Sequence, residues 1–151
     1  MARPGNEASF NYPQGITVDG EGNALVADTD NRTLRKATRR GVVSTLAGNG
    51  EEGYADGIDA AAPFNNPWGI VMDAQGAIFV ADSKNHCLQE LAPSTRAVST
   101  LAGDAEEEIG FADGQGAAVR FYNQSGMALD TDGHLIVANA SNNCIRKVTT
   151  A

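Results

Sequence analysis

Only two cysteines and two histidines occur among the 151 residues, and no apolar run approaches 18 residues. Each shortage excludes something. Cys87 and Cys144 stand 57 positions apart, at the same place in successive repeats, so both are expected to be free, buried thiols and not a disulfide. Without a long apolar run, no helix can span a bilayer. The opening residues, Met-Ala-Arg-Pro-Gly-Asn-Glu, carry no apolar core of a secretion signal, so the cytoplasm is the default expectation. Basic residues are also scarce: Lys and Arg number 11 against 19 Asp and Glu, and the net charge is −8. That sign repels phosphate and argues against nucleic acid and anionic membranes as partners. The 42% hydrophobic and 20% charged composition is that of an ordinary globular domain.

What is present is repetition. Residues 10–37 read FNYPQGITVDGEGNALVADTDNRTLRKA, residues 64–91 read FNNPWGIVMDAQGAIFVADSKNHCLQEL, and residues 121–148 read FYNQSGMALDTDGHLIVANASNNCIRKV. Phe10, Phe64 and Phe121 stand 54 and 57 positions apart. A period of this size marks an array of small units, none of which buries its apolar face alone.

Within the first unit, Gly15–Asp19 alternates and is β-branched, which predicts a strand. Asp19-Gly20-Glu21-Gly22-Asn23 is a tight turn, with Gly22 expected at positive φ. Residues 24–28, 32–37 and 42–47 read as three further antiparallel strands. Gly76 and Gly133 take the place of Gly22 in the later units. The sequence therefore predicts an all-β chain of four-stranded antiparallel sheets, the blades of a β-propeller. Their expected bounds are 10–48, 64–103 and 121–151, after an N-terminal extension over 1–9. The third blade ends after three strands, and residues 1–9 do not read as its fourth. Asp59–Pro63 offers at most one helical turn. The absent closing strand points to an excised or engineered half of a larger ring.

The motif Pro-x-Gly-Ile-x-x-Asp-x-x-Gly-x-x-x-Val-Ala-Asp-x-x-Asn stands at 13–31 and 67–85, followed in the first unit by Leu34-Arg35-Lys36 and residues 43–48. It resembles an NHL repeat. The third unit departs at Gln124, Met127 and Asn139 and keeps Gly126, Asp130, Gly133 and Asn142. The resemblance implies a six-bladed propeller that acts as an interaction platform. Within that family, relatives include RNA-binding domains and metal-dependent lyases. Three blades are half a ring, so closure by a homodimer is expected, because an open half-ring leaves two apolar faces in water.

Topology places the loops between blades and the turns after the second strands on one rim. This rim collects Glu51, Glu52, Asp56, Asp59, Glu106, Glu107, Glu108 and Asp113, whereas Arg39, Arg40 and Arg96 fall on the other. Candidate ligand-binding residues on the acidic rim are Tyr12 and Trp68, as aromatic anchors for a protein or peptide, with Asp28, Asp82, Asn139, Asn31, Asn85 and Asn142 as a polar ring. The competing reading of these Asp and Asn side chains is that they bond turn amides. His86 and His134 fall on opposite rims and cannot share a metal, and a catalytic zinc site needs more imidazoles nearby. No EF-hand spacing and no nucleophile–base motif occur. No catalytic residue, metal or cofactor is therefore expected. A non-catalytic binding scaffold is the leading reading, with a propeller lyase or hydrolase and an RNA-binding domain as alternatives.

Overall fold

The computed structural model describes residues 2–105 and 109–150. Thirteen strands form three antiparallel sheets. The first holds β1 (Arg3–Pro4), β2 (Pro13–Val18), β3 (Ala24–Asp28), β4 (Thr33–Ala37) and β5 (Val42–Ala47), in the order β1-β5-β4-β3-β2. The second holds β6 (Gly57–Ile58), β7 (Pro67–Met72), β8 (Ile78–Asp82), β9 (Cys87–Leu91) and β10 (Ala97–Gly103), in the order β6-β10-β9-β8-β7. The third has β11 (Gln124–Leu129), β12 (Leu135–Asn139) and β13 (Cys144–Val148). No helix among the described residues is long and apolar enough to cross a membrane.

The first two sheets have five strands where four are expected. Two-residue strands add to their outer edges: Arg3 and Pro4 pair with Val43 and Val42, and Gly57 and Ile58 with Val98 and Ala97. Arg3 and Pro4, in the N-terminal extension over 1–9, thus cover part of an edge of the first sheet. Asp59–Ala61 forms the anticipated single helical turn.

Local chemistry accounts for each hairpin. In the turn after β2, the Asp19 Oδ1 accepts from the amides of Glu21 and Asn23 at 3.0 and 2.8 Å. Asp73 and Asp130 make the same pair of bonds in the later sheets. The turn then closes on Gly22, Gly76 and Gly133, at φ +83°, +89° and +82°, where a Cβ would strain the backbone. After β3, β8 and β12 the chain makes one 3-10 turn, at Thr29–Asn31, Ser83–Asn85 and Ala140–Asn142. Each of these turns ends on a left-handed residue: Arg32, His86 or Asn143.

The sheets stack face to face. Between the first and second, Leu25, Ala27 and Leu34 pack with Phe64, Ile70, Ile78 and Val80. Between the second and third, Phe79, Ala81 and Leu88 pack with Phe121, Leu135 and Val137. β2, β7 and β11 each carry a bulge, seen as a register shift between Pro13 and Ile16, Pro67 and Ile70, and Gln124 and Met127. At that bulge a glycine lets neighbouring backbones approach. A Cβ on Gly15 would lie 2.0 Å from the carbonyl oxygen of Trp68, and one on Gly69 would lie 2.2 Å from that of Ser125.

Candidate binding surface

Asp28, Asp82 and Asn139 end β3, β8 and β12, and all three are fully buried. One side-chain oxygen of each accepts a backbone amide 17 residues earlier in the chain: Asn11 N–H to Asp28 at 2.8 Å, Asn65 N–H to Asp82 at 2.8 Å and Tyr122 N–H to Asn139 at 2.9 Å. These bonds fasten the incoming loop to the sheet. The asparagines in the following turns extend the fastening. Asn31 donates to Asp28 at 2.9 Å, Asn85 donates to Asp82 at 2.6 Å and to the Gly53 carbonyl at 2.7 Å, and Asn142 donates to the Gly110 carbonyl at 2.6 Å. The oxygens of the polar ring thus hold loop amides and turn asparagines of the protein itself, whereas the buried Asn139 Nδ2 has no partner among the described residues.

A further repeated position, not singled out from the sequence, completes this layer. Arg35 donates to Asp28 at 3.2 Å and lies over the Phe10 ring. Arg146 donates to the carbonyls of Arg120 and Ala112 and to Asp113 at 2.6 Å, and lies over Phe111 and Phe121. In the middle repeat the same position is Gln89. It is fully buried, and neither amide atom has a partner among the described residues. Asp82 therefore lacks the cation that Asp28 has. Burial pushes its pKa up to about 8, against the pull of the bonds from Asn85 and Asn65. The Arg-Gln-Arg alternation at 35, 89 and 146 was visible in the repeat alignment; its burial was not.

The aromatic anchors are placed differently. Tyr12 is exposed and left-handed at φ +52°, a conformation that Asn66 and Asn123 share at the equivalent positions. Asparagine tolerates this region better than tyrosine does. Trp68 is half-buried on β7, its carbonyl against Gly15. His86 packs edge-on to Tyr122, with ring centroids 6.0 Å apart, and burial pulls its pKa down.

The acidic rim needs one correction. Asp59 pairs with Arg96 at 2.5 Å, so it belongs with the residues assigned to the opposite rim. The reason is β6, which carries the connecting loop along the outer edge of β10 to the turn that holds Arg96. Of the other acids, Glu52 meets Arg32 at 3.4 Å, Asp113 meets Arg146, and Asp56 accepts from Thr100 at 3.0 Å. Glu106, Glu107 and Glu108 lie outside the described residues. Both cysteines are free. Cys87 is buried, as expected, but Cys144 is only half-buried. Gly103 of the fourth strand pairs beside Cys87, and the third sheet has no such strand.

Among the described residues no group of three or more His, Cys, Asp or Glu side chains is placed to hold a metal ion. The open faces are the other conspicuous surface. Ile16 and Val18 are 66% and 62% exposed on the first sheet, and Ile145 is 70% exposed on the third.

The NHL repeat family matches residues 10–36 and 64–91. The chain is 29% identical over 150 residues to the chloroplastic protein SUPPRESSOR OF QUENCHING 1 of Arabidopsis thaliana, covering 93% of this chain and 14% of that one. It is 29% identical over 154 residues to NHL repeat-containing protein 2 of Bos taurus, covering 91% of this chain and 20% of that one. The chain thus spans a fifth or less of these two relatives. Among solved structures, a Bacteroides thetaiotaomicron structural genomics protein superposes with a TM-score of 0.78 at 26% identity, over 83% of this chain and 32% of that one. An auxiliary nutrient binding protein from Bacteroides ovatus gives 0.81 at 18% identity, over 95% and 38%. The sheets, their stacking and the repeated motif agree with these matches: the chain carries NHL repeats at 10–36 and 64–91 and has the β-propeller fold.

Proposed function

We propose that the chain is a non-catalytic binding scaffold whose three sheets are consecutive propeller blades, and that two copies complete a six-bladed ring. The observation that carries the scaffold reading is the internal use of the polar layer. Asp28, Asp82 and Asn139 each hold a loop amide, which leaves the exposed Tyr12, the half-buried Trp68 and the acidic loops to meet a ligand. With a net charge of −8, the partner that fits is a basic peptide or protein segment anchored on the aromatics. Support for the ring comes from the apolar side chains left open at its two ends, Ile16 and Val18 on the first sheet and Ile145 on the third.

Trp68 is the only tryptophan, so its fluorescence reports on that site alone. Peptides selected from a random library against the purified protein should be basic and should shift Trp68 emission. Tyr12→Ala should weaken them about tenfold or more. Binding indifferent to both Tyr12→Ala and Trp68→Phe would refute this surface. Turnover that needs an added metal would favour the lyase reading instead, and a salt-dependent RNA shift would favour RNA binding.

A further inference from the structure

The two internal sheet junctions are built alike, and the chain carries both halves of a third. At the first junction the Gly15 bulge receives the Trp68 carbonyl, the Thr29 hydroxyl donates to the Pro67 carbonyl at 2.7 Å, and Leu34 packs with Phe64, Ile70 and Val80. At the second, the Gly69 bulge receives the Ser125 carbonyl, the Ser83 hydroxyl donates to the Gln124 carbonyl, and Leu88 packs with Phe121 and Val137. On the third sheet the same positions are Gly126, Ala140 and Ile145. A Cβ on Gly126 would meet nothing within 4 Å. Ile145 is largely exposed, although Leu34 and Leu88 are fully buried.

The complementary half lies on the first sheet. Phe10, Pro13, Gln14, Gly15, Ile16 and Val26 line an open apolar hollow of about 270 Å³. Phe10, Ile16 and Val26 occupy the positions of Phe64, Ile70 and Val80, which form the seat of Leu34. Gln14 occupies the position of Trp68, whose carbonyl fills the Gly15 bulge.

We infer that Gly126 is the socket for the Gln14 backbone of a second copy of this chain, with Ile145 entering that copy's Phe10–Ile16–Val26 hollow. This deepens the ring reading and rests on it. A second copy is the occupant because one chain presents both halves, and because each internal junction joins the same two surfaces. In two copies each half meets its complement twice, in a closed twofold arrangement. One contact is missing from this junction: Ala140 has no hydroxyl to match those of Thr29 and Ser83.

The test compares the 151-residue chain with Gly126→Val and Ala140→Thr by light scattering across a dilution series. Gly126→Val adds a side chain where the single chain has open space and two copies would have a backbone carbonyl. Its far-ultraviolet circular dichroism should match wild type under conditions where the chain is folded, and its dimer should weaken at least 100-fold. Ala140→Thr restores the hydroxyl-to-carbonyl bond at both junctions of the dimer and should tighten it about five- to 100-fold, the range of two net hydrogen bonds. This gain cannot arise from misfolding. If wild type is a dimer and neither substitution changes its dissociation, the socket is refuted while the ring stands. If wild type is a folded monomer at micromolar concentration, the ring and the socket fall together.

Discussion

Leu88 and Ile145 occupy the same position in successive repeats, one fully buried and the other 70% exposed. Ile70 and Ile16 make the same contrast on the opposite faces, at 3% and 66%. The middle sheet is covered on both sides, and each outer sheet on one. Burial here is a property of position in the stack and not of the repeat's sequence. Apolar residues written identically into all three units therefore stabilise the fold only where a neighbour supplies the second surface. The polar layer shows the reverse. The flanking repeats carry Arg35 and Arg146, and the enclosed middle repeat carries Gln89, so the most buried unit is the one without a cation beside its carboxyl.

The sharpest break in the comparison uses the bulge glycines. Gly69→Val should prevent folding or cost at least about 3 kcal/mol, since its Cβ would lie 2.2 Å from a backbone oxygen that no rotamer change can move. Urea unfolding of this variant beside Gly126→Val, which meets no such atom in the single chain, measures the difference. A Gly69→Val protein as stable as wild type would mean that the sheets are less closely stacked than described.

Next in size is the pair Leu88→Ala and Ile145→Ala. The first should cost roughly 2–5 kcal/mol through the cavity it leaves. The second should change the stability of the separated chain by less than about 0.5 kcal/mol and act on association instead. Equal losses at concentrations where only single chains are present would remove the distinction between covered and open faces.

A third contrast concerns Asp82. Its folded pKa of about 8 lies above the ordinary carboxylate value of 3.8, so the folded state binds the proton more tightly. Its contribution is full below about pH 4 and is lost as pH rises from there to about 8. Asp130 acts oppositely: the bond from Lys147, with the His134 amide, holds it at about 2, so its contribution is lost as pH falls below the ordinary value. Stability measured by urea across pH should therefore decline from the mildly acidic range towards pH 8. Gln89→Arg should flatten this decline by supplying the cation that Arg35 gives Asp28. Asp82→Asn, the residue that the third repeat carries as Asn139, should flatten it as well. A decline unchanged in both variants would assign it to other groups.

Much of this fold was legible beforehand. The hairpin glycines and the antiparallel pairing follow from period and turn chemistry, which act within a few residues, and the motif's identity from its resemblance to an NHL repeat. What escaped the sequence depends on contacts between units. The edge strands at Arg3–Pro4 and Gly57–Ile58 carry almost no strand signal and exist because a partner edge is present. Asp59 was assigned to the wrong rim because loop topology ignored β6. Cys144 was expected to be buried like Cys87, yet it lacks the covering fourth strand. Of the proposed site residues, the Asp and Asn ring fits the turn-bonding alternative by geometry, because its oxygens face loop amides, and Tyr12 and Trp68 are the ones left accessible.

The account's central claim is that the two open faces belong together, and the mass of the intact chain in solution tests it most directly. Static light scattering at micromolar concentration should give a folded species of about 31 kDa, twice the 15.7 kDa chain, with the roughly 2,000 Å² or more of buried area typical of obligate dimers. A stable, well-folded species of 15.7 kDa under the same conditions would contradict it.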